Sequence, residues 1–297
     1  MMIEHQDEDF ASLARIVGKG GPRPSDDPDL TKLLGRVWSR WQAGQLCLED
    51  IARFRHLIPM SLESTQGFAY LKPNGYAGCF ETIDRVYLYH TSIVSGLSSW
   101  DRYLHVQPGT QALRNRNDYF RQWLVSRVQH TKGWRLLNLG CGPCRDVSEF
   151  FAATHLDHGC VRCVDQDKRA LVYAAELCQS CRTQVKFELA NVLRYQTSER
   201  YELVWSAGLF DYLPNSLFVR LLSRIRGWLT PGGEVVIGNF APSNPTIPYM
   251  EVVLDWHIYH RTKEQLCALA VAAGFSATEL VVDCEPLGIN LFLHART

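Results

Sequence analysis

The chain is predicted to fold as an α/β protein: a seven-stranded, mostly parallel sheet with helices on both faces, preceded by a helical amino-terminal extension. Three observations predict it. From Trp134 onward, short apolar stretches at 135–139, 160–164, 184–188, 202–206 and 234–239 alternate with helix-like stretches. That is the pattern of β-α-β units whose strands are buried on both faces. The last two strand candidates, 278–283 and 290–294, are joined by the short connection 284–289 and read as an antiparallel hairpin at the sheet edge. Before residue 130 the alternation is absent, and apolar residues recur at helical spacing over 30–43, 48–57 and 111–129. The expected division is therefore a helical region over 1–130 and an α/β domain over 131–297.

Each element has a local reason. Leu113, Phe120, Trp123, Leu124 and Val128 make much of one side of a long amphipathic helix. Breaks rich in glycine and proline at 18–24 and 72–78 separate the earlier helices. Between the strands, helices are expected at 147–153, 169–178 and 217–229. Pro231-Gly232-Gly233 reads as the turn that follows the third of these and starts the fifth strand. A helix over 263–273, closed by Gly274, leads into the hairpin.

Composition limits the function classes. The 297 residues are 46% hydrophobic and 21% charged, as in an ordinary globular protein. Lys+Arg and Asp+Glu both number 31 and no basic run occurs, which argues against a nucleic-acid partner. No apolar stretch approaches the roughly 20 residues of a membrane span. The polar, acidic start of the chain does not read as a signal peptide, so a cytoplasmic location is expected.

Ten cysteines include three C-x-x-C pairs, Cys141/Cys144, Cys160/Cys163 and Cys178/Cys181, at a spacing that zinc sites also use. The pairs fall in a glycine turn, a core strand and the helix after it. Zinc there would sit among core elements and block the turn, so reduced thiols and no metal are expected.

The site is expected around that turn. Residues 136–139 form an apolar strand running into Gly140-Cys141-Gly142, and Arg145 stands where a dinucleotide-binding fingerprint has its third glycine. Two glycines suit an adenosine ligand without a pyrophosphate. Val161-Arg162-Cys163-Val164-Asp165 is a second strand ending in a carboxylate that can accept from two ribose hydroxyls. Asp165 and Asp167 compete for the N-cap of the helix that follows.

In order and spacing these features resemble class I S-adenosylmethionine-dependent methyltransferases over about 134–297. The resemblance implies a Rossmann-like sheet with S-adenosylmethionine bound and S-adenosylhomocysteine released. It implies cofactor contacts from Gly140, Cys141, Gly142, Asp165 and Gln166, and from the turn at Ala207 and Gly208. Asn191, with Val192, stands where such enzymes usually have an acid facing the adenine. Asparagine can accept there through its carbonyl oxygen.

Further motifs narrow the likeness: Gly75-Tyr76-Ala77-Gly78, Trp100-Asp101-Arg102-Tyr103, Gln111-Ala112-Leu113-Arg114-Asn115-Arg116 with Tyr119, Gly208-Leu209-Phe210-Asp211-Tyr212, and Leu254 to Arg261. From about Gly75 onward the chain is similar to bacterial methyltransferases that make 3-hydroxypalmitic acid methyl ester, a quorum-sensing signal. That likeness implies methyl-ester formation on the carboxylate of a hydroxy fatty acid. A carboxylate is ionised at neutral pH and needs no strong base, so catalysis is mostly alignment. Arg114 or Arg116 is the candidate clamp for the carboxylate. Asp211, Tyr212 and Tyr119 are further candidate catalytic residues, and residues 248–261 offer apolar surface for an acyl chain. Two other readings stand beside it: an O- or N-methyltransferase of another natural-product scaffold, and a cofactor-binding regulatory module without turnover. The helical extension would also offer a surface for a homodimer.

Overall fold

The computed structural model describes residues 2–129, 131, 133–154 and 158–297. Helices α1 (Met2–Gly18), α2 (Asp27–Gln42), α3 (Leu48–His56), α4 (Thr65–Leu71), α5 (Phe80–Tyr87), α6 (Ser95–Val106) and α7 (Pro108–Val128) precede the first strand. Then come β1 (Arg135–Leu139), α8 (Arg145–Ala153), β2 (Cys160–Asp165), α9 (Lys168–Leu177), β3 (Val185–Leu189), β4 (Tyr201–Ser206), α10 (Asn215–Trp228) and β5 (Leu229–Phe240). The chain closes with α11 (Ile247–Val252), α12 (Lys263–Ala272), β6 (Leu280–Cys284) and β7 (Asn290–Arg296).

The chain divides into two compact units, residues 1–111 with 245–257, and residues 112–244 with 258–297. The first is helical. Its core holds Leu30, Leu33, Leu34, Val37, Phe54, Trp100 and Tyr103. The segment after β5 belongs to it through specific bonds: Trp38 donates to Glu251 at 2.7 Å, and Tyr249 to Gln66 at 2.7 Å. The Arg55 guanidinium donates to the carbonyls of Glu251 and Val252 at 2.6 Å each. Tyr249, Met250, Val252, Val253 and Leu254 are buried. Most of the apolar surface expected to cover an acyl chain is thus core of this unit.

The second unit contains the seven-stranded sheet, ordered β3-β2-β1-β4-β5-β7-β6, with β7 antiparallel to both neighbours. Successive strand residues face opposite layers. Leu137, Val204, Ile237 and Leu293 pack under α10 and α12. Leu136, Cys163, Trp205, Val236 and Phe292 pack under α7, α8 and α9. The unit begins at Ala112, inside α7, because Phe120, Trp123, Leu124 and Val128 cover that second face.

The Pro231-Gly232-Gly233 turn is absorbed into β5. Leu229 already pairs with Tyr201, the register shifts, and Glu234 then pairs with Leu203. Gly232 takes φ +76°, which gives the strand a bulge where a free turn was expected.

Candidate active site

The carboxyl ends of β1, β2 and β4 converge in the second unit, as the crossover at β1 requires. Gly140 (φ +63°) and Gly142 (φ +53°) carry β1 into α8 through left-handed backbone. A Cβ on Gly140 would lie 3.2 Å from the Leu209 Cβ, whereas one on Gly142 would meet nothing within 4 Å. The turn therefore packs on one side and opens on the other. Gly140→Ala is expected to lower stability by at least about 1–2 kcal/mol from handedness alone, read as a lower urea midpoint.

Asp165 ties the turn to β2. One carboxylate oxygen accepts from the Gly142 N–H at 2.9 Å, and the other from the Asp167 N–H at 2.9 Å. Burial pushes this carboxyl up, and the two backbone donors pull it back down. The N-cap is Asp167, which accepts from the Arg169 N–H at 2.9 Å, so Asp165 is released from the capping role. Gln166 is exposed and accepts from the Asn191 amide at 3.0 Å, while the Asn191 carbonyl oxygen accepts from the Leu193 N–H at 2.9 Å. Val192 and Cys141 turn their side chains into opposite cores.

Beyond β4, the Ser206 hydroxyl donates to the Leu139 carbonyl at 2.9 Å and pins the two strand ends together. Ala207 and Gly208 follow. The Arg116 guanidinium donates to the Ala207 carbonyl at 3.0 Å, and a Cβ on Gly208 would come within 2.8 Å of it. Arg116 is buried, and its charge acts on both Asp146 and Asp211. Arg114 sits two residues earlier, about 200° around the helix, so the two guanidinium groups leave α7 on nearly opposite sides.

Asp211 lies on a 3-10 turn, Phe210–Tyr212, directly after this segment. Its side chain accepts from the Phe240 N–H at 2.8 Å, and its carbonyl from the Tyr259 N–H at 2.7 Å. Burial pushes the Asp211 carboxyl up to about 7, against the pull of the Phe240 N–H, Arg116 and Arg261. Arg261 fixes the turn by donating to the carbonyls of Phe210 and Leu213 and to the side chains of Asn215 and Asn239. Tyr212 is 38% exposed beside it.

The structure thus gathers Gly140, Gly142, Asp165, Ala207, Gly208, Arg116 and Asp211 at the carboxyl edge of one sheet. It does not bring Tyr119 there. That hydroxyl donates to Asp283 at 3.1 Å and lies 2.6 Å from His294 Nε2, with its ring stacked on Phe292 at 3.8 Å. Tyr119 lies about 60° around α7 from Arg116 and about 4.5 Å along it, and its side chain reaches Asp283 on β6 and His294 and Phe292 on β7.

Two residues went unseen in the sequence. Asp146, in the first turn of α8, has its carboxyl pushed up to about 7 by burial. Its only sequence signal is an acid directly after a glycine turn, which any helix start favours. Arg261 closes an aromatic block and carries no signal of its depth. Among the described residues, the sulfurs of Cys141, Cys144 and Cys163 lie within 4.8 Å of one another.

Residues 136–233 match the profile of a family described as a methyltransferase domain. No curated protein matches the chain. Among solved structures, one described as a possible exported protein from Bordetella parapertussis aligns with a TM-score of 0.62, at 18% identity, over 98% of this chain and 96% of that one. Magnesium protoporphyrin IX methyltransferase from Synechocystis, solved with S-adenosylhomocysteine bound, aligns with a TM-score of 0.50, at 16% identity, over 73% of this chain and 99% of that one. At such identities the likeness is one of fold. The family match itself runs from β1 into β5, across the glycine turn, Asp165 and the Ala207–Gly208 segment, and residues 136–233 therefore make up a methyltransferase domain, set in the sheet of the class I S-adenosylmethionine-dependent fold.

Proposed function

We propose that the chain methylates the carboxylate of a small lipophilic acid, a hydroxy fatty acid being the favoured acceptor. The observation that supports this reading is Arg116, a buried cation at the Ala207–Gly208 turn. A cation there attracts an anionic acceptor and limits how it can lie. Asp165 takes the ribose hydroxyls, and the turn at Gly140–Gly142 leaves room for the rest of the cofactor. Gln166, Asn191 and the backbone of Val192 border the adenine. When bound, S-adenosylmethionine supplies the methyl group. The chain's own task is to place a carboxylate oxygen in line with it and keep water out.

Asp211 makes the proposal testable by pH. With its carboxyl at about 7, it is neutral in mildly acidic solution and then repels no bound carboxylate. Methyl transfer to an acid should hold level from about pH 5, where the acceptor is ionised, to about 7. It should then fall as Asp211 ionises. Asp211→Asn, which keeps an oxygen for the Phe240 N–H, should flatten that fall.

A second reading has its own observation. An acid held near 7 also suits general-base catalysis on an amine or phenol, whereas burial lowers His260 to about 4 and makes it a weak base at neutral pH. In that case the rate rises through pH 7 and Asp211→Asn abolishes it. The experiment is methyl transfer from labelled S-adenosylmethionine to a panel of acids, amines and phenols across pH, with products tested for alkaline lability. A base-stable product with a rising profile would replace the ester reading. Tight cofactor binding with no product from any acceptor would favour the regulatory module.

A further inference from the structure

The three C-x-x-C pairs are not used by the methyl-transfer reading, yet two of them meet beneath the glycine turn. We propose that Cys141, Cys144 and Cys163 form a three-thiolate site for a closed-shell thiophilic cation, Zn²⁺ or Cu⁺.

Two independent observations carry this. The three sulfurs, all on buried residues, already lie within 4.8 Å of one another. Sulfurs sharing one ion at about 2.3 Å stand about 3.8–4.0 Å apart, so each pair needs to close by an ångström or less. The second observation is the backbone at Cys144. Its φ is +53°, a left-handed conformation uncommon for a residue with a side chain. Cys144 is the N-cap of α8, but its side chain makes no capping bond and is fully buried. The strain therefore serves no helix cap, and the thiol it turns inward is the one that completes the cluster. The Cys144 N–H closes the turn on the Cys141 carbonyl at 3.2 Å, which sets the two thiols of the pair on one loop.

The donor set decides the class of ion. Three sulfurs without a carboxylate or imidazole in the group select soft cations over Mg²⁺ or Ca²⁺. A three-coordinate Cu⁺ needs nothing more. Four-coordinate Zn²⁺ needs a further donor, and Cys178 is a candidate in the same core, its sulfur 3.9 Å from the Cys144 carbonyl. On binding, three S–H bonds break, three protons pass to solvent and three sulfur–metal bonds form, with no change of oxidation state. The ion would fasten the turn to β2 two residues before Asp165.

The test is metal analysis of the full chain purified under reducing conditions without chelator, followed by reconstitution of the stripped protein with Zn²⁺, Cu⁺ and, as a spectroscopic probe, Co²⁺. The expected result is about one ion per chain and a thiolate-to-cobalt charge-transfer band. Cys144→Ser and Cys163→Ser should lose both, while exposed Cys47→Ser keeps both. Loss of zinc in Cys178→Ser with retention of Cu⁺ would assign the fourth ligand. If a serine variant fails to fold, the wild-type stoichiometry and cobalt spectrum decide. A wild-type chain that is metal-free as purified and gives no thiolate–cobalt band, or one that holds a disulfide between any two of the three, overturns the proposal. None of these readouts depends on methyl transfer.

Discussion

Asp165→Ala is expected to weaken S-adenosylmethionine binding by about 100-fold or more, measured by calorimetry. Two effects add. The carboxylate is the proposed acceptor for the ribose hydroxyls, and hydrogen bonds to a charged group contribute about 1.5–3 kcal/mol each. About 2.7 kcal/mol corresponds to 100-fold. The same carboxylate also holds the Gly142 and Asp167 N–H groups, so its loss loosens the turn before any ligand arrives. Asp165→Asn separates the two. Its carbonyl oxygen can keep one backbone donor, but it lacks the charge and the second acceptor. It should restore much of the lost stability and little of the affinity. Full cofactor affinity in a folded Asp165→Ala chain would remove this residue from the cofactor site.

The ease of reading β2 and its terminal acid has a physical cause. Strands buried on both faces must be apolar and short, so 160–164 stands out against its polar neighbours, and the strand found is Cys160–Asp165. The turn after β1 is equally local, since left-handed backbone at Gly140 and Gly142 needs glycine. What stayed hidden depends on distant partners. Pro231-Gly232-Gly233 looks like a turn in isolation, but pairing of Leu229 with Tyr201 draws it into the sheet as a bulge. Residues 248–261 look like open apolar surface until Trp38, Arg55 and Gln66 take hold of the segment at 249–252. Tyr119 and Arg116 share one motif and lie only about 60° apart around one helix, yet distant partners draw them apart: Asp283, His294 and Phe292 take Tyr119, and the Ala207 carbonyl takes Arg116. The thiol cluster needed β1 and β2 to pair side by side, which no spacing along the chain reveals.

Arg116 shows how depth changes the meaning of a residue. On sequence alone it is one of two equivalent arginines on a long helix. In the structure its guanidinium is buried, bonded to the Ala207 carbonyl, and placed so that its charge favours ionisation of both Asp146 and Asp211 against their burial. Removing one member of a buried charged set costs about 3–5 kcal/mol, because the groups left behind keep their desolvation penalty. Arg116→Ala is therefore expected to lower unfolding stability by about that much in urea, and to leave the Ala207 carbonyl without this donor. It should also move the Asp211 titration. Without the positive charge, the Asp211 carboxyl rises further above its ordinary range, so the fall in ester formation shifts to higher pH. A raised folded-state value gives stability that is complete at low pH and fades as pH rises through it. The variant should accordingly lose less stability at pH 5 than at pH 8. Arg114→Ala, on the other side of the helix, should change neither the Asp211 profile nor the pH dependence of stability. An Arg116→Ala chain with wild-type stability and an unmoved pH profile would make this cation a bystander, and the carboxylate reading would lose its main support.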